Sequence, residues 1–201
     1  MATAYGMTFK GNTMRLPKLS YEKLDPRQKE VYDKHVVRRN YVTGPYDVWI
    51  HSPELFEKVS AISNYFRFDC NLPVKLREFG ILVTARFWDA EYSWNAHVEK
   101  ARAAGISDDI IEALAAKKKP SFKADDERAY YNFAMEALEN HFVSEKTFSE
   151  ARKIFGDKAL VDLIGSVGYF SMLQICLNSA EVDLQADRKP PFANVSGYKK
   201  K

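Results

Sequence analysis

Apolar and polar residues along this chain recur with the 3.6-residue period of α-helices, and no segment shows the pattern of a convincing strand. Tyr130, Phe133, Ala134, Ala137 and Leu138 share one face of a helix, and Val74, Glu78, Ile81, Leu82 and Ala85 share a stripe on another. Residues 79–85 are uniformly apolar or neutral, so a helix carrying them is largely buried. Residues 163–180 contain no charge, yet Gly165, Ser166, Gly168, Ser171, Gln174 and Asn178 dilute them and no basic flank or aromatic belt marks a boundary. That pattern predicts a buried bundle helix and no membrane partner.

Caps and breakers divide the chain. Asp25-Pro26 opens a helix running to about Asn40, and Ser52-Pro53 opens one running to about Phe68, with a loop over residues 41–46 between them. Pro73 starts the helix that carries Glu78, Asp89 is placed to cap the helix that carries His97, and Gly105 sits where a left-handed end is expected. Ser107 caps a short helix through Ala116, and Asp125-Asp126-Glu127 puts acidic residues in the first turn of a helix reaching about His141. Ser144 and Asp157 open two more. The prediction is an all-α bundle of about seven or eight helices over residues 25–187, with an N-terminal arm, 1–24, and a loose tail, 188–201.

With 201 residues and 46% hydrophobic content, the chain is long enough for one domain with a sizeable core. Its net charge of +3 comes partly from lysine clusters at 117–119 and 199–201, which lack aromatic interleaving and predict no nucleic-acid partner. Cys70 and Cys176 form no Cys-x-x-Cys pair and are expected to be reduced, buried thiols. The first residues lack the apolar core of a signal peptide, so the expectation is a cytoplasmic protein. His35 and His141 lie among charges and are expected to be exposed.

The candidate chemistry begins with Glu78, a carboxylate at the edge of the apolar run, because burying it alone costs several kcal/mol. His97 on the next helix is its best partner, and a carboxylate orients an imidazole and raises its pKa. Ala90, Ser93, His97 and Ala101 line one narrow helix face, with Glu91, Trp94 and Val98 on the adjacent stripe. Small residues beside His97 leave room for a ligand or for a neighbouring helix. The residues three and four before His97 are Trp94 and Ser93, so no metal site is expected. His51, just before Ser52-Pro53, either lines the pocket or hydrogen-bonds the backbone.

These residues resemble those of the carboxymuconolactone decarboxylase and alkyl hydroperoxidase D superfamily. Hydroperoxidase members carry a Glu, a Cys-x-x-Cys pair and a His, which fall here on Glu78, Ala90, Ser93 and His97, so both thiols are missing. The decarboxylase-like branch carries a string similar to Glu-Tyr-x-Trp-x-x-His, matched here by Glu91, Tyr92, Trp94 and His97. Residues 45–55, 72–88 and 160–178 also look like family segments, extending the resemblance over roughly residues 15–187.

The resemblance implies the alkyl hydroperoxidase D-like helical fold, a homo-oligomer with sites near subunit contacts, and cofactor-free acid/base chemistry on a small carboxylated lactone or related anion. In that expectation His97 moves a proton at carbon and Glu78 orients its ring, unless Glu78 is only a structural anchor. Glu91 is either a second acid/base group or a partner of Arg86. Tyr92, Trp94, His51 and Arg86 are the expected substrate contacts, with Arg77, Arg38 and Arg39 as further cations for a carboxylate. The alternatives are a non-catalytic binding or scaffold protein and, last, a thiol peroxidase using Cys70 or Cys176, neither of which stands at the motif positions.

Overall fold

The computed structural model describes residues 14–192 and 195, and among them it is an all-α bundle of eight helices without strands. The order is α1 (Pro26–Arg39), α2 (Pro45–Trp49), α3 (Pro53–Asn64), α4 (Val74–Phe87), α5 (Glu91–Ala103), α6 (Asp108–Ala115), α7 (Asp125–Asn140) and α8 (Glu145–Ala180). The 3₁₀ turn Tyr21–Lys23 precedes α1, and a π-helical turn, Tyr65–Asp69, continues α3. Helix α8 breaks at Gly156 (φ 70°, ψ 170°), where the sequence predicts two helices meeting.

Local chemistry accounts for the boundaries. Asp25 Oδ1 accepts from the Gln28 backbone N–H at 2.8 Å while Gln28 Oε1 accepts from the Asp25 N–H at 2.9 Å, a reciprocal cap worth about 1 kcal/mol. The predicted loop over 41–46 ends early, because Pro45 already begins α2, whose entry is fixed by the Gly44 N–H donating to Asp47 Oδ2 at 2.9 Å. Gly44 has φ 68°, and a Cβ there would lie 2.7 Å from the Tyr92 ring, so both backbone and space require glycine. Asp89 does not cap α5. It sits at φ 52° and pairs with Arg86 and Lys117, leaving Ala90 at the cap position.

Helix α4 is the centre of the bundle and packs against α5, α7 and α8. Every residue from Phe79 to Ala85 is buried, as their uniform apolarity requires. The α4–α7 crossing is tight because Tyr130 lies over Gly80, where a β-carbon would collide with its hydroxyl, and that hydroxyl meets Ser166 Oγ of α8 at 3.0 Å. A side chain such as Phe79, at 0% exposure, contributes roughly 1.5–3 kcal/mol by leaving water.

Helix α8 is long and apolar enough to cross a membrane, yet half of its apolar window is buried against the bundle. Its other side keeps Val161, Ile164, Met172 and Ile175 exposed. Near both ends of the described residues the chain packs on the bundle. Met14 packs on Leu177, Ala180 and Val182, with the Arg15 N–H donating to the Ala180 carbonyl at 2.8 Å. Phe192 is buried edge-on to Trp94 (5.2 Å between centroids) and under the Arg86 guanidinium (4.1 Å). Residues 1–13 of the predicted arm, and the tail residues 193–194 and 196–201 with the second lysine cluster, lie outside the described residues.

Candidate active site

Helices α4 and α5 form the hairpin that brings Glu78 and His97 together. His97 Nδ1 and Glu78 Oε2 are 2.6 Å apart, with both side chains largely withdrawn from solvent. Burial pushes the His97 imidazole below its ordinary value, and the adjacent carboxylate only partly opposes this. The net direction is therefore opposite to the one expected from the carboxylate alone. Burial raises the Glu78 carboxyl, but its hydrogen bond to His97 and nearby positive charge outweigh this and hold it below the usual carboxylate range. At neutral pH the pair is thus a carboxylate and a neutral imidazole. The Nδ1–H donates to Glu78, which leaves Nε2 as an unprotonated acceptor with no partner among the described residues.

Both residues line a cavity of about 130 Å³. That is close to the roughly 150 Å³ that admits a benzene-sized ring. Its apolar wall includes Phe66, Ile81, Phe170 and Leu173, and its polar groups include Ser93, Tyr92, Arg67 and Lys100. Ser93, one turn before His97 on α5, is 2% exposed and its Oγ has no hydrogen-bond partner among the described residues. Tyr92 meets Thr43 Oγ1 at 2.9 Å, which fixes its ring along the wall.

The other expected contacts are elsewhere. Trp94 is buried on the side of α5 that packs against Phe192, away from the cavity lining. His51 Nε2 is 3.0 Å from the Pro17 carbonyl, a backbone contact outside the cavity. Arg86 Nε donates to the Ala115 carbonyl at 2.8 Å, and its NH1 pairs with Asp89. Glu91 is fully buried, outside the cavity lining, with its charge felt by Arg86. Helical geometry explains the division: the stripe of Glu91 and Trp94 is centred about 110° around the helix from that of Ser93 and His97.

Among the named arginines, Arg38 pairs with Asp69 at 3.0 Å, outside the cavity. Arg39 and Arg77 reach the cavity, but Arg39 donates to Asn64 Oδ1 and Ser63 Oγ, and Arg77 donates to the carbonyls of Leu72, Arg67 and Cys70. Sequence reading missed Arg67 and Lys100. The signal for Lys100 was its position one turn after His97. Arg67 comes from the π-helical turn, an irregularity without a local sequence signature and one that recurs at functional sites.

His35 is not exposed. It is buried with Nδ1 3.0 Å from Ser60 Oγ, and burial pushes its pKa down to about 4. His141 is exposed, as expected. Cys70 and Cys176 are free thiols away from the cavity, and burial raises both, Cys176 to about 12. Among the described residues no three His, Cys, Asp or Glu side chains cluster as metal ligands.

A helical bundle with a buried carboxylate–imidazole pair in a small mixed cavity is the class this fold and site define. Residues 53–135 match the carboxymuconolactone decarboxylase family. Similar folds occur in a peroxidase-related protein with an alkylhydroperoxidase AhpD core from Ralstonia eutropha JMP134 (18% identity, 87% of this chain and 93% of that one, TM-score 0.71) and a peroxidase-related protein from Silicibacter sp. TM1040 (17%, 90% and 97%, 0.70). The debrominase Bmp8 is also similar in fold (15%, 87% and 94%, 0.65). No curated protein matches the sequence. The chain is thus similar to the carboxymuconolactone decarboxylase family over residues 53–135, and it shares its overall fold with AhpD-like proteins.

Proposed function

We infer that this protein is a cofactor-independent carboxy-lyase acting on a small carboxylated lactone or related anion. The observation that carries this reading is the 2.6 Å Glu78–His97 bond at a cavity wall, which leaves Nε2 available to a ligand. In the reaction a carbon–carboxylate bond breaks, its electron pair moves into the conjugated lactone carbonyl, and carbon dioxide leaves. A proton from solvent then passes through His97 Nε2 to carbon. Glu78 stabilises the imidazolium during transit, and the low basicity of a buried imidazole makes that imidazolium a ready donor. The Phe66, Ile81 and Leu173 wall favours loss of charge from the departing carboxylate.

Thiol peroxidase chemistry has little support, since both thiols stand off the cavity and are shifted away from the thiolate. We place the reaction in the cytoplasm, in keeping with the two unpaired thiols. We also take the exposed, uncharged stripe Val161, Ile164, Met172 and Ile175 to pack against a second copy of the chain, because like faces without charge meet without repulsion. Carbon dioxide release from γ-carboxymuconolactone, without added cofactor or metal, tests the central reading.

A further inference from the structure

Three polar atoms of the cavity, Ser93 Oγ, His97 Nε2 and Lys100 Nζ, have no hydrogen-bond partner among the described residues, and they follow one another along it. Helix α5 carries Ser93, His97 and Lys100 in that order. At 1.5 Å per residue Ser93 and Lys100 are about 10 Å apart along the axis, with His97 between them. Ser93 Oγ is buried without a hydrogen bond, which costs about 1–3 kcal/mol unless a ligand or water satisfies it. At the other end, neither Lys100 nor the Arg67 guanidinium has a hydrogen bond or ion pair to any described side chain. The two cations act on each other, on His97 and on the Glu78 carboxylate: Lys100 is pushed below its ordinary value by lost hydration and by the charge of Arg67, which the Glu78 charge only partly opposes.

We propose that this cavity binds a small organic anion in one orientation, with a carboxylate between Arg67 and Lys100, a carbonyl oxygen on the Ser93 hydroxyl, and the intervening carbon over His97 Nε2. The two cations outnumber the one carboxylate beside them, Glu78, so a ligand carboxylate completes the charge balance, and the buried hydroxyl is an incomplete hydrogen bond that the ligand also completes. Ser93 then donates to the oxygen on which negative charge develops, where a fixed donor is worth more than in water. The carboxylate held by the two cations is one the reaction retains. Two cations on a departing carboxylate would stabilise the substrate more than the transition state.

This orientation rests on the acid/base reading only in placing the reacting carbon at His97, so its test measures binding and not turnover. The probe is (5-oxotetrahydrofuran-2-yl)acetate, a saturated lactone acid whose carboxylate stands on a side chain as a retained one does, titrated calorimetrically beside its methyl ester and cyclopentylacetate. Arg67→Gln and Lys100→Gln should each weaken both acids about tenfold and leave the ester unchanged. Ser93→Ala should weaken the lactone acid and the ester by about fivefold and leave cyclopentylacetate unchanged. His97→Ala should preserve the order of preference.

The proposal is overturned if the wild-type protein does not bind the lactone acid at millimolar concentration. It is also overturned if Arg67→Gln and Lys100→Gln weaken acid and ester alike, or if Ser93→Ala weakens all three probes equally. A protein that binds with this pattern but releases no carbon dioxide would retain the orientation and lose the carboxy-lyase reading.

Discussion

At the scale of single residues, the bond between Glu78 and His97 gives the two imidazole nitrogens different work, one held by the carboxylate and one open to the cavity. If protonated His97 supplies the proton, kcat/KM falls as pH rises through its pKa, which burial sets below the ordinary imidazole value. Glu78→Gln removes the charge that opposes burial, so a pH–rate series should show this limb moving to lower pH. An unmoved limb would take Glu78 out of that role. His35 gives a separate stability signal. Its folded pKa of about 4 lies below the unfolded value of 6.5, so its neutral form stabilises the fold above about pH 6.5 and that contribution is lost as pH falls toward 4. Denaturant titrations at each pH should show His35→Phe flattening this loss by up to about 3 kcal/mol.

At the scale of elements, the site depends on two helices and the irregular turns around them. Gly44 admits the Tyr92 ring at the entry to α2, so Gly44→Ala should destabilise the fold by about 1–3 kcal/mol, through its positive φ and the displaced ring, as a lowered urea midpoint. The helices themselves were legible because Pro, Ser, Asp and Gly punctuate a strong apolar period. Glu78 and His97 were legible because each interrupts apolar surroundings that make an isolated charge costly. Glu91 and Trp94 lie inside the same short motif, yet their stripe faces another part of the core, where Phe192 and Arg86 meet them from distant sequence. Arg67 was hidden for the converse reason: it reaches the site from a π-helical turn on the far side of a loop, and no helical spacing connects it to His97.

At the scale of the whole molecule, the apolar residues of α8 divide into a buried face and an exposed one. The sequence pattern of residues 163–180 reads simply as a buried helix, because apolarity does not tell the inside of one chain from the inside of an assembly. Replacing Ile164 and Ile175 together by Glu should shift the light-scattering mass toward the monomer without moving the Glu78–His97 pair, while a wild-type protein already monomeric at micromolar concentration would remove the assembly. The catalytic account stands apart from that result.

The most direct test compares carbon dioxide release from γ-carboxymuconolactone by the wild-type protein and by His97→Ala, both folded to the same melting temperature and assayed without cofactor or metal. The account predicts turnover by the wild type and a loss of at least about 100-fold in the variant. Equal turnover by the two proteins, or none by the wild type, would contradict it.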